Sequence, residues 1–515
     1  MSSKIVKNVS IILICSIIAK VLSYFWEAIL ASYLGVTDQA DAFYMTTSIF
    51  NILFPILDLG IWKVFLPIYK KKMVKKNEDG ASVIANISIT LFFVLSVALV
   101  IVLLFFSNPI VYIFAPGFNI EKRAITVEYL RLCTPYLLFA AVSSVIGAML
   151  QSHEKFLGSQ IREIGTHVSR LFCVVICYKH FGIYAAIIAM IIGSVFRLLI
   201  QLPFINWKWR FKPNFNFKDK DIIVMIKGLP SVALTATITH LNGMIDKMVA
   251  SGAVSGSVAC LNYGHKLMNV FSGMISTAIA TAAYPTIIQH IAQNNKEKLK
   301  ELLKNIFCAL LFCIIPISLF CFLFSGDLVT VAFQRGAFDS SATAMTSSVF
   351  VCYCFGMLFI GLASVITNVF YAYGDTKITM IISIIEIVLN IAFDLLFVNF
   401  WGVAGLAFAT SISAMICLGI RMIYLKKYIR IGYKDIVKEG FKILLFACIA
   451  CIIPYFIFNW IFKLNVFISV FVGLIISVVL YFCLAFVFHI NTLNFLSSLI
   501  GKKFIKKNNL TKNDE

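Results

Sequence analysis

The chain has 515 residues, 60% hydrophobic and only 13% charged, with 44 Lys+Arg against 24 Asp+Glu and a formal charge of +20. A soluble domain carries about 25% charged residues and roughly 45–50% apolar ones. A soluble globule, a disordered chain and a single anchor on a large soluble domain are therefore excluded. What remains is an all-α polytopic membrane protein, with apolar content for about fourteen transmembrane helices at roughly 20–25 residues each.

Apolar windows place these spans near 8–34, 40–67, 81–107, 127–151, 158–180, 182–205, 222–251, 256–290, 303–325, 340–373, 377–398, 402–425, 438–460 and 464–490. The first opens like a signal peptide, with Lys4 and Lys7 before an apolar run. It then continues to Leu34 without a small-residue cleavage site and reads as a retained span.

Basic residues mark every second loop. Lys70, Lys71, Lys72, Lys75 and Lys76 follow span 2, and Lys155 and Arg162 follow span 4. Lys208, Arg210 and Lys212 open the run after span 6, Lys296, Lys298 and Lys300 the run after span 8, and Lys377 follows span 10. Lys426, Lys427 and Arg430 follow span 12, and the tail carries Lys502, Lys503, Lys506, Lys507 and Lys512. The opposite loops 36–39, 253–257 and 399–400 have neither Lys nor Arg. The positive-inside rule then puts both termini in the cytoplasm of a multi-pass protein of the bacterial cytoplasmic membrane. Charge confined to short loops also argues against nucleic acid as a partner. The fourteen Cys lie mostly within apolar runs, and Cys448 and Cys451 have no second pair or His with which to hold a metal.

An internal repeat is visible. Pro67 recurs as Pro285 and Gly182 as Gly402, 218 and 220 positions on, each before or after a comparable span. Six helices per copy is an even number, so the copies are parallel. This gives an N-terminal lobe over 1–220, a C-terminal lobe over 221–435, and two further helices with a basic tail over 436–515.

Ionisable groups within spans cost about 2.5–3.5 kcal/mol each at mid-membrane even on a lenient scale, so they report on function. Lys20, Tyr24 and Glu27 form one stripe on span 1, and Asn262, Lys266 and Asn269 repeat the spacing on span 8. A lysine stripe from each lobe suits a cavity that accepts an anion. Structural ion pairing, with Lys20 held by Glu27 or Asp41, is the competing reading. A second constellation is oxygen-rich: Thr235, Thr239, Asn242 and Asp246 on span 7, Glu386, Asn390 and Asp394 on span 11, and Thr410 on span 12. Oxygen donors without His or Cys suit a small hard cation or a proton; an interhelical hydrogen-bond network is the alternative. No phosphate-binding glycine loop, HExxH or nucleophile motif is present, which points to a transporter and not to an enzyme.

Several stretches together resemble the MurJ/MviN family of lipid II flippases, within the multidrug/oligosaccharidyl-lipid/polysaccharide exporter superfamily. They are Ala40-Asp-Ala-Phe43, Ile245 through Ser251, Gly256 through Met268, Phe333 through Asp339, Phe370 through Thr376 and Gly402 through Thr410. The resemblance implies transport of lipid II, or a similar polyprenyl-pyrophosphate glycolipid, by alternating access, with cell-wall synthesis enzymes as neighbours. It places Lys20, Glu27, Asp41 and Lys266 in the substrate cavity, and Asp246, Asn390, Asp394 and Thr410 at a site for Na⁺ as coupling ion; no other cofactor is implied. The chain departs from the family at Trp26, where an arginine is usual, and at Asn51-Ile-Leu-Phe-Pro55, where the family is arginine-rich. Another lipid-linked polysaccharide, a cation-coupled multidrug antiporter and a membrane scaffold are the alternative readings.

Overall fold

The computed structural model describes residues 3–75, 78–205, 207, 209–458, 465–488, 490 and 492, leaving aside the side chains of 3–10, 13, 78, 235 and 239. The tail lysines from Lys502 onward, Lys76, Lys208 and the side chains of Thr235 and Thr239 thus lie outside the described residues. Those residues are all-α, and they group by contact into two compact units: Met1–Asn262 with Arg335–Asp339, and Tyr263–Gln334 with Ser340–Glu515.

Unit 1 contains α1 (Ser3–Leu34), α2 (Asp38–Gly60), α3 (Leu66–Val74), α4 (Glu78–Phe105), α5 (Ser107–Phe114), α6 (Ile120–Cys133), α7 (Pro135–Ser152), α8 (Phe156–Phe181), α9 (Tyr184–Leu199) and α10 (Lys220–Ala250). Its core is Phe65, Tyr69, Phe92, Met149 and Met225, with Trp62 and Trp209 packed against it. The helix α11 (Ser257–Met268) passes from one unit to the other. Unit 2 contains α12 (Met274–Ala292), α13 (Lys296–Leu323), α14 (Ser325–Phe333), α15 (Ser340–Ala372), α16 (Thr376–Trp401), α17 (Val403–Leu425), α18 (Tyr433–Phe456) and α19 (Val466–Val487). Contact grouping draws a different line from the repeat, because α10 packs on α2 and on the π-turn 61–65.

Among the described residues, twelve helical stretches are long and apolar enough to cross a membrane. Of the expected fourteen, 158–180 and 438–460 are not among them, and the end of the second lies outside the described residues. The first corresponds to α8, whose 26 residues span about 39 Å but carry Arg162, Glu163 and Arg170. The second corresponds to α18, charged through its first half by Lys434, Asp435, Lys438, Glu439 and Lys442. The expected span 127–151 is divided between α6 and α7 at Thr134–Pro135, since a proline amide cannot continue the ladder.

The repeat is legible in backbone detail within each unit. Gly182 has φ +53° and ψ −134°, and Gly402 has φ +55° and ψ −133°. Each donates its amide to the carbonyl four residues back, Tyr178 at 2.8 Å and Val398 at 3.0 Å. Broken helices recur as well: α4 hands over to α5 at Phe106, and α13 to α14 at Phe324.

The glycine conformation at 182 and 402 is one that side chains rarely adopt, so Gly182→Ala and Gly402→Ala should each destabilise by about 1–3 kcal/mol. Gly419, mid-helix with nothing within 4 Å of an added Cβ, should tolerate Ala or gain slightly. Thermal unfolding of the three variants in detergent checks this; equal tolerance at 402 and 419 would contradict the strain.

Candidate functional site

In unit 1, four helices converge on Glu27. Its carboxylate, 8% exposed, accepts from the Tyr44 hydroxyl at 2.9 Å and from the Asn262 carboxamide at 3.4 Å. The Asn262 oxygen accepts from the Lys247 ammonium at 3.2 Å, and that ammonium also donates to the Ser48 hydroxyl at 2.8 Å. Tyr44 and Ser48 are one turn apart on α2, and Ser48 donates back to the Tyr44 carbonyl at 2.7 Å. Glu27 comes from α1, Lys247 from α10 and Asn262 from α11, so one carboxamide mediates between a buried carboxylate and an ammonium. An arrangement of this kind can release its cation to an incoming anion without leaving the carboxylate bare.

The sequence pairing of Glu27 with Lys20 is corrected here. Seven residues on a helix separate the two by about 10.5 Å, and Lys20 lies exposed on α1 with no ion pair among the described residues. Tyr24, half-buried between them, feels the charge of Arg335. Lys247 was missed by the sequence reading, although an ammonium next to Asp246 in a 31-residue helix is itself a signal.

Asp41 is engaged elsewhere than expected. It is 1% exposed, and its Oδ2 accepts from the Gly256 amide at 2.8 Å while Oδ1 accepts from the Ala259 amide at 2.8 Å. It thereby caps the start of α11 from outside the helix. The Lys122 ammonium bridges Asp41 and Asp38, at 2.7 Å from the latter, and Asp38 also accepts from Ser255 at 2.7 Å. With both oxygens taken, Asp41 holds α2, α6 and α11 together and is not presented to a substrate.

In unit 2, Lys266 is half-buried one turn beyond Asn262 on α11. Asn269 does not continue the stripe: it begins a π-turn over 269–273, where the i, i+4 spacing breaks, and its carboxamide donates to the His265 carbonyl at 3.0 Å. The oxygen cluster is present on α16. Asn390 and Asp394 are fully buried one turn apart, and the Asn390 carboxamide donates to Asp394 Oδ2 at 2.8 Å. Thr410 on α17 donates to the Leu406 carbonyl at 3.2 Å. Glu386 is set apart from this cluster by its ion pair with Arg421 at 2.8 Å. Asp246, in unit 1, is 4% exposed on α10. Carboxylate and carboxamide oxygens such as those of Asp394 and Asn390 are hard donors. Among the described residues no three His, Cys, Asp or Glu are grouped to hold a metal.

A further ionic network in unit 1 was absent from the sequence reading. Arg197 on α9 grips both oxygens of Glu163 on α8 at 2.9 Å. Arg162 stands 3.5 Å from Glu163 and 3.7 Å from Asp58, which also accepts from Ser144 and from the Trp62 indole at 3.3 Å.

Asp41→Ala would leave the buried Lys122 ammonium to Asp38 alone and strand two amides, a loss of about 1–3 kcal/mol for each unsatisfied buried group. Thermal unfolding should show that loss, with Asp41→Asn falling in between. An Ala variant as stable as the parent would remove the capping role.

The comparisons accord with this architecture. The family model for lipid II flippase MurJ matches residues 30–475. A probable lipid II flippase MurJ of Borreliella burgdorferi is 27% identical over 465 residues, covering 88% of each chain. One from Buchnera aphidicola subsp. Baizongia pistaciae is 26% identical over 419 residues, 80% of this chain and 82% of its own. Among solved structures, lipid II flippase MurJ in an inward closed conformation has a TM-score of 0.78 at 22% identity, covering 92% of this chain and 98% of that one. An inward-facing multidrug resistance MATE family transporter of the MOP superfamily has a TM-score of 0.69 at 16% identity, covering 79% and 94%. With a family model spanning most of its length, the chain belongs to the lipid II flippase MurJ family.

Proposed function

We propose that this protein, a transporter and not an enzyme, moves lipid II from the inner to the outer leaflet of the bacterial cytoplasmic membrane by alternating access, with both termini in the cytoplasm. The physical problem is to carry a pyrophosphate and sugars across about 30 Å of hydrocarbon. The observation that carries the reading is the hydrogen-bonded chain Tyr44–Glu27–Asn262–Lys247–Ser48, polar groups from four helices, two of them charged, in an apolar bundle. Within unit 1, Lys247 joins Lys20 as a cation for the pyrophosphate. Each opposite charge at about 4 Å contributes roughly 4 kcal/mol at an effective dielectric near 20. Glu27 and Asn262 keep Lys247 satisfied while substrate is absent, so that substrate competes with an internal network. Tyr24 lies on the same face of α1 as Lys20, and Asp41 acts on the reaction by positioning α11.

Na⁺ is the coupling ion in this reading, held in unit 2 by Asn390, Asp394 and Thr410, where it compensates the buried Asp394 carboxylate. A cation shifts a conformational equilibrium only by its difference in affinity between states. Cell-wall synthesis enzymes are the proteins that would receive the flipped product.

Two measurements test the reading. In a flippase-depleted bacterium, Lys247→Ala should fail to rescue growth and cut lipid II translocation by about thirtyfold or more, with Lys247→Arg partly restoring it. Full translocation by Lys247→Ala would dismiss the network from the mechanism, and ethidium efflux in place of lipid II movement would favour the multidrug alternative. For the ion, Na⁺ titration should raise the unfolding temperature of the purified protein but not of Asp394→Asn. An equal response in both would reject the assignment of Asp394.

A further inference from the structure

Unit 2 holds a cavity of about 290 Å³ that takes no part in the networks above. It sits where three turns meet: the one from α12 into α13, the one from α15 into α16, and the one after α17. The first two are built alike. Asn294 at φ +50° and Gly374 at φ +78° each occupy the left-handed region. The following amides, of Asn295 and Asp375, reach back to the His290 and Phe370 carbonyls at 3.0 Å.

The walls are fixed by aromatic and hydrogen-bond contacts. The Tyr373 and Tyr428 rings are 4.6 Å apart, and the Tyr428 hydroxyl donates to Asp375, which also accepts from the Ile378 amide at 3.0 Å. The Tyr428 bond holds the Asp375 carboxyl below the usual carboxylate range, and the same bond pushes Tyr428 up to about 12. Because one pKa is lowered and the other raised, the wall is lost only as pH falls through the depressed carboxyl value or rises through the tyrosine value. It stands throughout the neutral range.

The lining is cationic over an apolar floor. Leu299, 1% exposed, and Ile291 form the floor. Lys296 and Lys427 line the cavity as exposed residues, neither in an ion pair among the described residues. No carboxylate lines the cavity. The His290 Nδ1 is buried and has no hydrogen-bond partner among the described residues. The cavity also opens at the start of the 28-residue α13, where the helix dipole favours negative charge. Two ammoniums and a helix start, with the nearby Asp375 carboxylate held by Tyr428 behind the lining, make a receptor for an anion. The apolar floor at the end of the spans suits an amphiphile.

The geometry points to a binding site for a phosphate group at this cavity, borne by an anionic phospholipid headgroup or by a free phosphate, which ties the three turns of unit 2 together. Basic pockets between transmembrane helices at the cytoplasmic face recognise such headgroups by charge and shape. This site is separate from the residues assigned to lipid II, so it stands or falls independently of them.

The test uses the full-length protein and the double variant Lys296→Gln/Lys427→Gln, which replaces two exposed ammoniums and leaves floor and walls intact. Both are placed in nanodiscs of phosphatidylcholine alone or doped with phosphatidylglycerol, and both are titrated in detergent with inorganic phosphate alone. Retained lipid is read by native mass spectrometry and phosphate binding by thermal shift. The parent should retain phosphatidylglycerol over phosphatidylcholine, and the double variant should lose that retention by about tenfold or more. Protection by inorganic phosphate without lipid retention, abolished in the double variant, would assign the site to a soluble phosphate. If parent and variant respond alike to both probes, the proposal is overturned.

Discussion

A charged group inside an apolar bundle must be met by partners from its neighbours, and this requirement organises unit 1. Leaving one buried member of a pair unmatched costs several kcal/mol, so each ionisable side chain fixes the helices that satisfy it. Glu27 ties α1 to α2 and α11, Lys247 ties α10 to α2 and α11, and Asp41 ties α2 to the start of α11 and to α6. The α2 helix carries Asp41, Tyr44 and Ser48 on successive turns and is the element on which all three ties converge. A bundle held at so few points resists sliding in general, yet can rearrange when one of those points acquires a new partner. Transport by alternating access needs that combination.

The span pattern and the repeat were legible in the sequence because they depend on properties written along the chain. Apolar length gives the spans, and a glycine that must adopt positive φ gives the turns at 182 and 402. The α8 helix falls short of the apolarity criterion for a physical reason. In α8 part of the charge is matched, with Glu163 serving Arg162 on its own helix and Arg197 on α9, and a hydropathy sum counts a matched charge as it counts a bare one.

The site was legible only in part. Stripe counting selected Glu27 and Asn262 from different helices, and the fold brings them together at 3.4 Å. It failed for Lys247 because it followed the face of span 7 that carries Asp246. The next residue is turned by about 100° and answers to a different neighbour. For Asp41, which the resemblance alone placed in the cavity, counting offered no guide, because two of that carboxylate's partners are backbone amides. Amides at a helix start exist in every sequence and are marked by no residue type.

The repeat also shows how one backbone plan accommodates different interiors. Gly182 and Gly402 end α8 and α16 in the same conformation, so positions counted back from them correspond. By that register Asn390, hydrogen-bonded to Asp394 within α16, has Arg170 as its counterpart on α8. The Arg170 guanidinium lies 5.9 Å from the Trp26 ring and 5.8 Å from the Tyr136 ring, and its stem occupies the space beside Gly193, where an added Cβ would stand 2.7 Å from it. One unit therefore presents oxygen and the other a cation held by aromatic faces. The three arginines 162, 170 and 197 outnumber Asp58 and Glu163 in unit 1, while Glu386 is matched by Arg421 in unit 2 and leaves Asp394 beyond that pair. Matching positions on one repeated helix can thus carry opposite chemistry, because the repeat fixes the backbone path and leaves the side chains to the neighbours each copy packs against.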